Sequence, residues 1–422
     1  MRHAPALIAL TFEFSPVFEL NNFKRLKYLK ECGYDPIILT NKEQRTPAEI
    51  RALSAMREQG WEIHELPCMR KTPFRIFSKF FGAYGVADFL DRFFFIPDPF
   101  ITMAPAALAA IGRIVRTRPV DAMITLSPPE GMLCIGLLAK KMFRLPWIAD
   151  CHDLWTTKKI VHRHPTRLHL HAARSMEKAV YRKVDHLIAN TPGNREIYLS
   201  HFRVPDHKIT VITNGYDPQE KRHSPVHWDD DNRNRFTLGY MGNFDKTGFP
   251  VTELLSAFKS LLAEHGAEVA RMHICGPVSA ATRRKFASDL PAKAIEWHGE
   301  LPHREAFEIT SRCDILVLLM YETPYSKAIV PHKLYHYLVM RKPILALAQE
   351  DGNVAAIIRI TRTGRTVSAK SPDVVRRELA ALYECRLRNC FPFFHPDDAE
   401  ISRYDNRTHT EQLCAIVDRI RK

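Results

Sequence analysis

The chain has no paired cysteines. Its nine, at positions 32, 68, 134, 151, 275, 313, 385, 390 and 414, are scattered, odd in number and never spaced Cys-x-x-Cys. That pattern excludes a disulfide framework and reads as reduced thiols of the core or surface. A membrane-spanning run is also missing, since nowhere do the ~18 uninterrupted apolar residues of a span occur. The longest candidate, 93–112, is broken by Pro97, Asp98, Pro99 and Pro105. The first residues, Met1-Arg2-His3-Ala4-Pro5, lead directly into a strand-like stretch and acidic Glu13 with no secretory cleavage pattern, so a cytoplasmic location is expected. Zinc-finger, ribonucleoprotein-type aromatic and helix-turn-helix signatures are missing, which argues against a nucleic-acid partner for a chain of net charge +14. The surplus charge suits an anionic membrane surface or phosphorylated small molecules instead.

What is present is a chain of 422 residues, 45% hydrophobic and 26% charged, enough for two α/β domains with substantial cores. Apolar β-type runs alternate with helix-period stretches, the pattern of parallel sheets with crossover helices. Strands are expected at 7–12, 36–40, 62–66, 122–127, 147–150, 186–190 and 210–213, with a helix at 22–32 closed by Gly33. A second series follows at 236–241, 271–275, 295–298, 315–319, 344–347 and 363–367, with helices at 251–265 and 372–384. The spacing therefore predicts two Rossmann-like, doubly wound domains, over 1–215 and 236–395, joined by a polar linker over 216–235, with a C-terminal helix within 396–422 packing back on the first domain. Two such domains facing across a cleft bind ligands there, at the carboxyl ends of their strands.

The most informative stretch is Lys327-Ala-Ile-Val-Pro331-His332-Lys333-Leu334-Tyr335-His336-Tyr337-Leu338, followed by Arg341-Lys342-Pro343 and a strand. Pro331 suits the first turn of a helix, which leaves the N–H groups of His332 and Lys333 directed at a loop. A helix start of that kind binds phosphate, and Lys327 and Lys333 would stabilise charge on a departing diphosphate. Taken alone, the same residues also read as a short helix with an ordinary basic first turn.

This stretch resembles the donor-binding motif of glycosyltransferase family 4, retaining enzymes of the GT-B fold. Further stretches resemble the family in order: Leu126-Ser-Pro-Pro129, Trp147-Ile-Ala-Asp-Cys-His152-Asp153-Leu-Trp155, Asp185-His-Leu-Ile-Ala-Asn-Thr191, Val211-Ile-Thr-Asn214-Gly215-Tyr216-Asp217, Gly239-Tyr-Met-Gly242-Asn243, His298-Gly299-Glu-Leu301-Pro302 and Cys313-Asp314-Ile-Leu-Val. The resemblance implies that Gly242 and Asn243 face the donor diphosphate, that Lys246 reaches it, and that Leu301 lies by the base. It implies that Pro331, His332, Leu334 and His336 complete the donor site, and that His152 lies near the transferred sugar with Asp153 to orient it. His152 by itself reads as an ordinary loop histidine.

Two departures stand out. The family often carries two glutamates eight positions apart, the second on the nucleotide ribose; here those positions hold Ala328 and His336. A neutral imidazole still hydrogen-bonds a ribose hydroxyl. The family's glycine-containing N-terminal loop reads here Ser15-Pro16-Val17-Phe18-Glu19-Leu20-Asn21-Asn22, which implies an unusual acceptor pocket.

Two metal readings are weak. The acidic run 229–231 lies in the expected linker, where such runs are solvated, and of the histidines 162, 164, 169 and 171, His169 and His171 cannot share a helix face at their spacing. Neither a metal nor a separate cofactor is expected. From 69 to 85 aromatics at 74, 77, 80, 81 and 84 alternate with Arg70, Lys71, Arg75 and Lys79, a pattern of an interfacial membrane helix or of a core helix with a basic outer face. The expected function is sugar transfer with retention from a nucleoside-diphosphate sugar to a glycan or polyprenyl-linked acceptor, in polysaccharide or glycoconjugate synthesis. A degenerate binding or scaffold subunit of a glycan-assembly complex, and a sugar-nucleotide epimerase, are the alternatives.

Overall fold

The structure is a computed structural model that describes residues 4–17, 21–42, 45–69, 84–157, 164–219, 235–291, 293–323 and 325–421. Residues 18–20, the basic aromatic stretch 70–83, His162 and the acidic run 229–231 lie outside the described residues. The chain divides into two units, Met1–Asn214 with Asn406–Lys422, and Gly215–Asp405.

The first unit is built on seven strands: β1 (Ala6–Leu10), β2 (Asp35–Asn41), β3 (Glu62–Leu66), β4 (Ala122–Ser127), β5 (Trp147–Cys151), β6 (His186–Ala189) and β7 (Ile209–Val211). They lie in the order β3-β2-β1-β4-β5-β6-β7, each pair parallel. Such a sheet must be covered on both faces, and β1 shows how the sequence does it. Ile8 and Leu10 pack into one core with Ile37, Leu39 and Trp147, while Leu7 and Ala9 point into another with Ile38, Ile124 and Ile148. Strand order reverses between β1 and β4, so the carboxyl ends of β1 and β4 flank the switch point where open parallel sheets bind ligands.

The helix expected over 22–32 is shorter, Asn21–Leu26. Beyond it the chain tightens into three-residue turns, Leu29 N–H to Leu26 carbonyl at 3.1 Å and Gly33 N–H to Lys30 carbonyl at 3.0 Å, ending at Gly33 with φ +82. The stretch Pro99–Thr117 is long and apolar enough to cross a membrane by length and composition. Its Met103, Ala107, Ala110, Ile111 and Ile114 are buried in the first core, which accounts for that apolar content. The helix Asn406–Ile420 lies in this unit, with Leu413, Ile416 and Val417 packed against Leu7, Phe23 and Leu26. The Tyr34 hydroxyl donates to Asp418 Oδ1 at 2.7 Å.

The second unit has β8 (Phe236–Met241), β9 (Ala270–Cys275), β10 (Ile295–Gly299), β11 (Ile315–Leu319), β12 (Ile344–Leu347) and β13 (Gly364–Val367), in the order β10-β9-β8-β11-β12-β13, all parallel. Tyr216 joins this unit through its N–H to the Tyr404 carbonyl at 3.0 Å and a bridge to Asp405. The sequence placed the end of the domain at 395; the contact division carries it to Asp405. The nine cysteines are free thiols, five of them buried.

Candidate functional site

In the second unit the carboxyl ends of β8 and β11 meet the helix His332–Met340. Tyr337 of that helix receives the Met241 N–H at 3.0 Å and donates to the Val317 carbonyl at 3.1 Å, which fixes the helix against both strands. Leu334, Tyr335 and Leu338 are fully buried beneath it. Pro331 is the cap residue just before the helix, with φ −72 and ψ 143, one place earlier than the first-turn position the sequence suggested. The Leu334 N–H closes the first turn on the Pro331 carbonyl at 3.0 Å, and a helix start of this kind directs positive potential at whatever lies before His332.

Lys333 turns back from this turn. Its Nζ lies 2.5 Å from the Tyr240 hydroxyl and 3.8 Å from the Tyr240 ring centroid, with Phe249 at 5.8 Å. The Tyr240 hydroxyl in turn donates to the Asn243 carbonyl at 2.7 Å, which ties the loop after β8 to the same group. Burial, reinforced by Lys246, lowers the Lys333 amine from its ordinary 10.5 to about 7. Lys246 is exposed on this loop, its Nζ 5.9 Å from the Phe249 ring.

Gly242 has φ +109, and a Cβ there would stand 3.4 Å from Lys333 Nζ. Only glycine lets the backbone take this turn at low cost beside the lysine. The loop is also anchored by Asp245, whose Oδ2 accepts from the Ser279 N–H at 2.9 Å and the Thr282 hydroxyl at 2.7 Å. Gly242, Asn243, Lys246, Pro331, His332 and Lys333 therefore belong to one loop-and-helix-start assembly that carries two lysine amines.

The remaining expected donor residues fall around it. Leu301 is half-buried against the core that contains Met241, Leu334 and Tyr335. His336 is only 3% exposed. Its ring lies 4.4 Å from His303 and 4.7 Å from His332 between centroids, with Nε2 of His303 and His336 3.3 Å apart. The structure thus replaces an expected carboxylate by a packed histidine cluster. Lys327 stands elsewhere: it lies in the short turn Ser326–Ala328, is 47% exposed, and its ammonium is ion-paired with Asp351. Its partner is that acid, so the two-lysine clamp with Lys333 expected from the sequence is not assembled here.

In the first unit His152 follows β5 and is 8% exposed. Its N–H donates to the Ser127 carbonyl at 2.9 Å, and its carbonyl accepts from Asn190 Nδ2 at 3.2 Å, while Asn190 Oδ1 accepts the Asn214 N–H at 2.8 Å. The acid beside its ring is Asp150, with Oδ2 3.6 Å from His152 Nε2; the sequence had assigned the orienting place to Asp153, two positions past the strand end. Asp150 is fully buried and receives Arg25 Nε at 2.9 Å, while Arg25 Nη2 donates to the Ile212 and Thr213 carbonyls at 3.0 and 3.1 Å. Burial alone would raise the Asp150 carboxyl, but Arg25 and His152 outweigh it and hold the carboxyl below its usual range.

Arg25, Asp150, Asn190, Tyr240 and Phe249 were not singled out from the sequence. Tyr240 lies inside the stretch Gly239–Asn243, yet its contact with Lys333 spans 93 positions, and Arg25 reaches Asp150 across 125.

The sequence profile described as Glycosyltransferase Family 4 matches residues 26–220. No curated protein sequence matches the chain. Among solved structures, it is similar over its whole length to a glycosyltransferase from Rickettsia africae, with 15% identity, TM-score 0.66 and all of both chains covered. The HepE protein of Anabaena in complex with UDP-glucose covers 98% of this chain and 99% of its own, at 13% identity and TM-score 0.62. A sucrose-phosphate synthase from Thermosynechococcus elongatus covers 98% of each chain, at 12% identity and TM-score 0.64. The two Rossmann-like units are thus those of the GT-B fold, and the first carries the family 4 pattern.

Proposed function

From the premise of a glycosyltransferase of the family 4, GT-B type, we propose that this protein moves a sugar from a nucleoside-diphosphate sugar to a glycan or polyprenyl-linked acceptor, with retention and without a metal. The observation that carries the reading is the Lys333 assembly. A lysine amine buried on Tyr240, held near its neutral form by burial and by Lys246, and placed at a helix start, gains most from a ligand that brings two negative charges. The donor diphosphate occupies the space bounded by Gly242, Asn243, Lys246 and the start of helix His332–Met340, and Leu301 lies on the base side. As the glycosidic bond breaks, Lys333 and the helix N–H groups stabilise the leaving diphosphate, and the leaving phosphate takes the acceptor proton. We assign His152, whose ring lies beside Asp150, to the transferred sugar. His336 replaces the ribose-binding acid as a hydrogen-bonding group.

The proposed acceptor is membrane-borne, and the protein works at the inner membrane face in polysaccharide or glycoconjugate synthesis. The support is helix Tyr84–Phe94, which exposes Val86, Phe89, Phe93 and Phe94 on a chain of net charge +14.

A thermal-shift titration with UDP, GDP, ADP and their sugar conjugates, repeated on Lys333→Ala, tests the donor assignment. Stabilisation by one nucleotide that the variant loses is the expected result. Absence of any response overturns it in favour of a binding or scaffold subunit, the reading that the acid-free positions Ala328 and His336 favour. If a nucleotide sugar binds and only an isomeric donor is produced, the protein is an epimerase.

A further inference from the structure

We propose that His273, Glu296 and His298, at the edge of the second sheet, form a site for one divalent transition-metal ion of the zinc type. Strand geometry assembles the three. His273 of β9 is the register partner of Glu296 of β10, and His298 stands two residues along β10 on the same face. Between Trp297 and Gly299 the register shifts, an irregularity that re-aims the side chain at 298 toward the neighbouring strand.

The donor atoms are His273 Nδ1, His298 Nε2 and Glu296 Oε2. Their separations are 3.2 Å between the two nitrogens, 3.3 Å from His273 to the carboxylate and 3.7 Å from His298 to it. A triangle with those sides has all three corners about 2.0 Å from a common point, the length of zinc–nitrogen and zinc–oxygen bonds. Among the described residues this is the one group of three such ligands whose donor atoms lie within 4.8 Å of one another.

The surroundings suit an ion. Arg271 Nη1 holds the other carboxylate oxygen, Oε1, at 2.6 Å, so that Oε2 is the atom presented to the histidines. His273 is buried, whereas His298 and Glu296 are half-exposed, which leaves a path for entry and a fourth coordination position for water. The two rings are within 14° of parallel, with His273 Nδ1 and His298 Nε2 in contact, and an ion takes the place of that contact between the two nitrogens. Two imidazoles and one carboxylate select zinc, cobalt or nickel over magnesium or calcium. The bound ion clamps edge strand β10 to β9, directly ahead of Gly299 and Leu301, and takes no part in the transfer itself.

The test is a Co2+ titration of the purified full-length protein, read by the visible d–d absorption of four-coordinate cobalt, with competition by Zn2+ and with Mg2+ as control. The expected result is one equivalent that gives tetrahedral bands, is displaced by Zn2+ and not by Mg2+, and is lost in His298→Ala and Glu296→Gln. Each variant should weaken that equivalent by more than the roughly 10–100-fold that loss of an outer-shell partner costs. Both altered residues are half-exposed, so circular dichroism should show folded proteins. Because the chain carries 20 histidines, the reading is the difference between wild type and variants. Equal cobalt stoichiometry in wild type and both variants, or wild-type binding without tetrahedral bands, overturns the proposal.

Discussion

Donor binding should take up a proton at Lys333, and the structure sets the size of that effect. With its pKa at about 7, the ligand-free amine is half protonated at pH 7. A bound diphosphate favours the charged form and raises the bound-state value back toward the ordinary 10.5. Between those values affinity falls about tenfold per pH unit, because 1.36 kcal/mol is needed per unit to charge the amine. From pH 7 to pH 8.5 the charged fraction of the free protein drops from about one half to about 3%, so the dissociation constant should rise roughly 15-fold. Calorimetry with an intact nucleoside-diphosphate sugar, in buffers of differing ionisation enthalpy, should show uptake of about half a proton at pH 7 and nearly a whole one at pH 8.5. In Lys333→Met both the proton uptake and the pH dependence should vanish and the affinity should be lower at pH 7. Equal proton uptake in wild type and variant refutes the reasoning. Stability carries the opposite sign: the folded chain binds fewer protons than the unfolded one between about 7 and 10.5, so this lysine costs most at low pH. Lys333→Met should therefore be more stable at pH 6 by on the order of 2 kcal/mol, an advantage that shrinks as pH rises through that window.

Gly242→Ala should lose about 1–3 kcal/mol in denaturant unfolding, since φ +109 strains an L-residue, and should weaken nucleotide binding through the Cβ 3.4 Å from Lys333 Nζ. Asp150→Asn leaves Arg25 buried without its acid and should cost about 3–5 kcal/mol, visible as a fall in the urea midpoint. In the wild type the stability from this carboxyl is present above the ordinary carboxylate value and is lost as pH falls through its lowered one, so acid unfolding of the first unit should begin at higher pH in the variant. Glu177 is pushed up to about 7 by burial, although Thr156 and Tyr181 donate to it. Its contribution is full below the usual carboxylate range and fades as pH rises through 7, so Glu177→Gln should flatten the fall in melting temperature between pH 5 and pH 8.

Alternation of apolar runs with helical periods, and the length that holds two such series, determine two parallel sheets from the chain alone, because a sheet buried on both faces leaves continuous Val, Ile and Leu strands. The runs at 236–241, 315–319 and 344–347 correspond residue for residue with β8, β11 and β12. The helix start at Pro331 was legible too, since a proline and a following basic turn are local features. Long-range pairings had no such local signature. That Lys333 folds onto Tyr240 rather than reaching out with Lys327, that Lys327 pairs with Asp351, and that Asp150 stands beside His152, were decided by which strand ends the topology brings together. The same holds for His336 among His303 and His332, and for His273 opposite Glu296: sheet register and helix docking place them, and neither can be computed from spacing along the chain.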